Sequence, residues 1–168
     1  KSKYVISDNV NNFVNRLNER GIRLNHICDY NNPIYENPLD PDAFARWTAF
    51  MAEYFKDKIY TYEIWNEPAN FYFQKQYGGQ RWGDAPWLVK FVELTRKAND
   101  AIRSVLPDAN IAVCAEDVWP TLRQMVENGI ADEKNIISFH PYCHGQPRPE
   151  REMFFNDNGK AMRELCKT

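Results

Sequence analysis

Glu67 and its neighbours make the strongest case for chemistry in this chain. The stretch Tyr60-Thr61-Tyr62-Glu63-Ile64-Trp65-Asn66-Glu67-Pro68 begins as a β-rich, mostly apolar run, ends in an amide and a carboxylate, and is stopped by proline before an aromatic loop. That is the pattern of a strand delivering Asn66 and Glu67 to a mouth. A carboxyl group that protonates a leaving oxygen must hold its proton more tightly than usual, and aromatic walls or a second carboxylate arrange that. Trp65 before Glu67, and Phe71, Tyr72 and Phe73 after it, are candidate walls. Asn66 can donate and accept at once, which suits a sugar hydroxyl. Strand alternation points Asn66 and Glu67 to opposite faces, so both reach one site only if the strand bulges or ends there. A strand that merely closes in an Asn-Glu turn reads the same way, so other strand ends decide. Phe139-His140-Pro141-Tyr142 brings an imidazole and a phenol to the end of a second strand, and His26 lies near the end of a third.

Other residues carry weaker signals. Trp82, Trp87, Tyr72, Tyr77 and Trp119 have flat faces that stack on sugar rings. Trp82, in a loop between Arg81 and Gly83, is the best platform, whereas Trp87 opens a helix and reads as core. Arg23 and Glu63 fall inside neighbouring strands, where each is costly unless paired, and they are expected to face each other. Glu116 ends a further strand but reads as a capping or subsite residue beside Asp117. His140, Cys143 and His144, with His26 and Cys28, are zinc-type ligands at a spacing that matches no standard site, so no metal is expected. No cofactor is implied.

The elements that must position these groups alternate. Ser7-Asp8 can cap a helix whose face carries Val10, Phe13, Val14 and Leu17, with Gly21 just past its end. Ile22 to Cys28 reads as a strand. Asp40-Pro41 opens a helix striped by Phe44, Trp47, Met51, Tyr54 and Phe55. After the Glu67 strand and a long loop from Ala69 to Ala85, Pro86 starts a helix striped by Leu88, Phe91, Thr95, Ala98, Ile102 and Val105. Asn110 to Glu116 is a strand, Leu122 to Val126 a short helix stopped by Gly129, Asn135 to His140 a strand, and Gly159 to Cys166 a partial helix. The order α-βα-βα-βα-β-α implies an α/β fold with parallel strands and right-handed crossovers. Loops after strands are mostly long and those after helices short, which puts elaboration at the carboxyl ends of the strands. No strand runs into a glycine-rich phosphate loop, which disfavours a dinucleotide fold.

Composition narrows the classes. The chain has 168 residues, a net charge of −2, 43% hydrophobic and 14% aromatic residues. Nothing in that balance points to nucleic acid or an anionic membrane, and no apolar run approaches the ~18 residues of a membrane span. Cys28, Cys114, Cys143 and Cys166 form no framework and are expected mainly as free thiols. The start at Lys1-Ser2-Lys3-Tyr4 reads as internal.

Together, Glu63-Ile64-Trp65-Asn66-Glu67-Pro68 and, two strands later, Phe139-His140-Pro141-Tyr142 resemble strands four and six of a clan A glycoside hydrolase. The loop Asp29-Tyr30-Asn31-Asn32-Pro33-Ile34-Tyr35 is similar to the third-strand loop of family 39 enzymes, with family 5 the near alternative. The resemblance covers roughly residues 21–142. It implies part of a (β/α)8 barrel, strands three to six with their helices, so that residues 1–168 form a single partial domain lacking the first and last strands; a complete barrel takes ~250 residues. It implies a carbohydrate substrate and retaining hydrolysis of a β-glycosidic bond, with Glu67 as general acid/base, Asn66 on the sugar 2-hydroxyl, and His140 and Tyr142 supporting nucleophile and subsite. The nucleophile, a Glu at the end of strand seven, is expected outside this chain, since retention needs two carboxyl groups ~5–5.5 Å apart. The isolated chain is therefore expected to hydrolyse little or nothing. The alternatives are a carbohydrate-binding pseudoenzyme and a half-barrel that pairs through its open sheet edges.

Overall fold

A computed structural model of the chain describes residues 4–33, 35–70, 72–81, 85–116 and 119–140, with the backbone alone at Trp119. The expected final helix, Trp82, Tyr142, Cys143, His144 and Cys166 lie outside the described residues.

Helix α1, Asp8–Asn18, is capped by Ser7, whose hydroxyl accepts from the Val10 amide at 3.4 Å. It ends in a turn at Gly21, where φ is +71° and the Ile22 amide returns to the Leu17 carbonyl. Of its expected apolar face only Val14 is buried, while Val10 and Phe13 stand in solvent. Strand β1, Asn25–Cys28, starts later than the apolar run at Ile22 suggests. Ile22 and Arg23 are exposed, and the link to the next strand begins at the Leu24 carbonyl, which accepts from the Tyr60 and Thr61 amides. Helix α2, Pro41–Phe55, has Asp40 as its cap, one carboxylate oxygen receiving both the Asp42 and Ala43 amides at 2.8 Å.

Strand β2, Thr61–Ile64, leads through a loop that contains a short helix α3, Phe73–Tyr77, to the long helix α4, Pro86–Val105. Strand β3, Asn110–Glu116, helix α5, Trp119–Glu127, and strand β4, Asn135–Phe139, follow. The strands form one parallel sheet in the order β1-β2-β3-β4. Sequential order without a reversal is that of a barrel wall, as opposed to a doubly wound sheet with its switch point.

Register fixes which side chains share a face. Ile27, Glu63, Ala112 and Ile136 pair across the four strands in one row. His26, Tyr62 and Ile111 form the next row and point the other way, toward the helices. The core lies between that second face and α2 and α4, where Phe55, Tyr62, Ile64, Leu88, Phe91, Ile102 and Ile111 are sealed from water. Trp65 joins it at the carboxyl end, its indole against Phe73 (4.9 Å), Tyr30 (5.5 Å) and Phe44 (5.6 Å).

Candidate active site

Strand β2 ends at Ile64, and the next residues are bent out of strand geometry. Trp65 and Glu67 both take positive φ, +68° and +46°. Neither is glycine, so each is held there against a cost of about 1–3 kcal/mol. Backbone bonds to both neighbouring strands hold them. The Trp65 amide donates to the Cys28 carbonyl of β1 at 2.9 Å, and the Glu67 amide to the Ala115 carbonyl of β3 at 2.7 Å. Strand β3 is irregular at the same level, with a register shift between Val113 and Glu116 and positive φ at Cys114 and Ala115. The His140 amide closes the row on the Glu116 carbonyl at 3.1 Å. The strand therefore ends where Asn66 and Glu67 have to part from simple alternation.

Glu67 is 9% exposed, and its carboxylate has a partner on each oxygen. Nδ1 of His140 is 3.1 Å from Oε1, and the Asn70 amide donates to Oε2 at 2.8 Å. Against an ionised carboxylate, Nδ1 is the nitrogen that carries hydrogen. The other ring nitrogen, Nε2, lies 3.8 Å from Oε1 of Glu63. Glu63 is buried, accepting also from the Asn25 side-chain amide at 2.5 Å and from the Ser138 hydroxyl. The interactions with Glu63 and then with Glu67 raise the His140 imidazole to about 9, against the opposing effect of burial. The same contact with His140, with help from Ser138 and Asn25, holds the Glu63 carboxyl down to about 2.

Asn66 turns to the other flank of this group, its amide donating to the Tyr30 hydroxyl at 2.8 Å. Tyr72 is exposed with its ring 5.4 Å from that of Tyr30. Burial is the leading cause that raises the Tyr30 phenol, so it faces Asn66 as a neutral hydroxyl. Glu116 is wholly buried and accepts from the Ala69 amide at 3.2 Å, fixing the loop that follows Glu67.

Of the expected site residues, the structure brings Glu67 and His140 into contact and sets Asn66 and Tyr72 beside Tyr30. His26 does not join them. It points to the helix side, its ring 6.2 Å from Trp47 and 6.3 Å from Tyr62, and burial lowers its basicity. Arg23 does not meet Glu63 either, because it lies before β1 and its guanidinium sits 4.7 Å above the Tyr60 ring. Trp87 is core, its indole N–H donating to the Gln80 carbonyl. Cys28 and Cys114 are buried free thiols. Among the described residues no group of three or more His, Cys, Asp or Glu is arranged to hold a metal ion. Sequence reasoning missed Asn25, Ser138, Tyr30 and Asn70; a polar residue on the same strand face as Glu63 is the signal that points to Asn25.

A parallel, sequentially ordered sheet with a buried carboxylate–imidazole pair at its carboxyl end defines a barrel-type α/β scaffold. The family model for cellulase (glycosyl hydrolase family 5) matches residues 3–164, and the chain belongs to that family. The expectation of a clan A glycoside hydrolase is met. Its sequence matches the family 5 model, while its fold is similar to a family 39 glycoside hydrolase from the gut symbiont Bacteroides cellulosilyticus WH2. That likeness has a TM-score of 0.68 at 20% identity, over 87% of this chain and 30% of the other. The chain thus spans about 30% of the length of that structure. Among curated proteins, none matches.

Proposed function

We propose that this chain carries the acid/base half of a retaining β-glycosidase site. The observation that carries the reading is the Glu67–His140 pair, a buried carboxylate 3.1 Å from an imidazole at the ends of β2 and β4. In the first step Glu67 gives its proton to the glycosidic oxygen as the bond to the sugar breaks and a second carboxylate bonds to the anomeric carbon. In the second step Glu67 takes a proton from water as the water oxygen displaces that carboxylate. The nucleophile comes from outside residues 1–168. In support of that, Glu63 is committed to Asn25, Ser138 and His140, and Glu116 is wholly buried against the Ala69 amide. Asn66, beside Tyr30, would meet the sugar 2-hydroxyl, and Tyr72 and Trp82 would flank the sugar. His140 and Tyr142 complete the roles assigned at the strand-six end.

The test is Glu67→Gln in a form of the protein that turns over substrate. Loss of a general acid/base costs about 10²–10⁴-fold on a poor leaving group. A dinitrophenyl glycoside, which needs no protonation to leave, should keep much of its first step, and added azide should rescue the second. Equal activity of variant and parent on an unactivated substrate would remove Glu67 from the mechanism. Sugar binding without turnover in the parent would favour the pseudoenzyme.

A further inference from the structure

Beneath the acid lies a carboxylate that the proposed mechanism does not use. Glu63 is 7% exposed in the middle of β2. It is reached from three directions: Asn25 Nδ2 of β1 on Oε2, the Ser138 hydroxyl of β4 on Oε1, and His140 Nε2 at 3.8 Å from Oε1. Nδ1 of the same imidazole is the atom 3.1 Å from Glu67 Oε1. One ring therefore stands between two carboxylates four residues apart on one chain segment. An amide and a hydroxyl would satisfy a neutral Gln at position 63 as well as a Glu. The imidazole is the partner that a negative charge serves, and a buried charge is retained only with such a partner.

We propose that Glu63 is a positioning residue for Glu67 acting through His140, holding the imidazole by its Nε2 side so that Nδ1–H points at Glu67 and a proton stays on the ring beside the acid. The inference rests on the reading of Glu67 as the acid/base. At rest the trio is carboxylate, imidazolium, carboxylate. Shifting the proton from Nδ1 to Oε1 gives a neutral ring and a protonated Glu67 without any change in proton count, and that is the form that protonates a leaving oxygen. Glu67 is then a carboxylate beside a neutral ring, able to take the proton of the incoming water and restore the trio. The two groups titrate as a pair. Among the described residues, the charged and titratable groups at and near the ring are these. Glu63 and Glu67 come from β2 and its end. Cys28 on β1 is kept a neutral thiol by burial and by nearby charges including Glu63. Glu116 at the end of β3 meets His140 through its peptide oxygen, with its carboxylate on the Ala69 amide.

The experiment is an NMR titration of the histidine ring carbons in the 168-residue chain, wild type against Glu63→Gln and Ser138→Ala. The chain has three histidines, so His26→Gln and His144→Gln assign the signals. In the wild type His140 should titrate near pH 9, well above an ordinary 6.5. Removing an adjacent carboxylate charge should lower that midpoint by about one pH unit or more, whereas Ser138→Ala should leave it near the wild-type value. In a catalytically competent form of the protein, Glu63→Gln should move the alkaline limb of kcat/KM to lower pH, and Glu63→Asp should restore part of it. An unmoved His140 midpoint in a folded Glu63→Gln variant overturns the proposal. If that variant does not fold, the wild type against Glu63→Asp decides: a wild-type midpoint near 6.5, or one that Glu63→Asp leaves unmoved, overturns the proposal, and a midpoint that falls in Glu63→Asp upholds it. Full activity of Glu67→Gln would sink the acid/base reading by itself, whatever the comparison of wild type with Glu63→Gln shows for His140, so the two failures are distinct.

Discussion

Glu63 and His140 give the folded chain a pH profile that can be signed in advance. The folded His140 imidazole is raised from 6.5 to about 9. Its contribution to stability is therefore complete below pH 6.5 and is lost as pH rises through about 9. The folded Glu63 carboxyl is lowered from 4.5 to about 2, so its contribution is present above 4.5 and lost as pH falls through about 2. Both describe one interaction and are not summed. The expected melting temperature is highest between pH 4.5 and 6.5 and declines on both sides; thermal melts across pH check it. Glu63→Gln should flatten the alkaline decline, and a decline of equal size in that variant would count against the pairing. Glu67 was legible in the sequence because a carboxylate that follows an apolar run and precedes proline has few other places to be. The partners of Glu63 were not. Asn25 is 38 residues away and Ser138 is 75, joined only through the register of β1, β2 and β4. Arg23 looked like the nearer partner because β1 seemed to begin at Ile22, and pairing in fact begins at Asn25.

The elements were easier to read than the contacts between them. A cap, a proline at the first turn and an apolar stripe locate α2, and a proline and a stripe locate α4, because those signals are local. Asp40 is the clearest case. One of its oxygens takes two amides that otherwise lack intrahelical partners, at 2.8 Å each, at the end of α2 nearest the loop that carries Tyr30. Asp40→Ala should lower stability by about 1 kcal/mol, with Asp40→Asn or Asp40→Ser restoring most of it in chemical denaturation. A loss below a few tenths of a kcal/mol would show the cap to be redundant with packing of α2 against α4. Helix α3 was not legible. It has five residues, no capping side chain, and a first turn entered from Tyr72 at φ +72°, and it is held by long-range contacts: Phe73 buried against Phe91 and Trp65, and the Gln76 side-chain amide donating to Asn37 Oδ1 at 2.7 Å. The face of α1 misled for a related reason. Its apolar spacing promised burial, yet Phe13 is 62% exposed, since periodicity says which face is apolar and not what lies opposite.

At the scale of the molecule the two faces of the sheet are unequal. The helix side is sealed along β2 and β3, at Tyr62, Ile64, Ile111 and Val113. On the other side the row Ile27–Glu63–Ala112–Ile136 runs from edge to edge, and its two ends, Ile27 and Ile136, are 39% and 45% exposed. These are β-branched residues on the two outer strands of the four, next to backbone edges without a neighbouring strand among the described residues. In a closed barrel that face is the interior and those edges do not exist. Left open, exposed isoleucines beside strand edges that have no neighbour among the described residues are a template for another copy of the chain. The 19.8 kDa chain is therefore expected to self-associate, with a sedimentation coefficient that rises with concentration, and Ile27→Lys with Ile136→Lys should return it toward the monomer. Because the described carboxylates near Glu67 are committed elsewhere, the same preparation should leave an aryl glycoside intact whatever its oligomeric state. A sedimentation profile that stays monomeric across the accessible concentrations would mean that the inner face is covered without a second copy. Turnover by the purified chain, lost in Glu67→Gln, would mean that its nucleophile lies within residues 1–168.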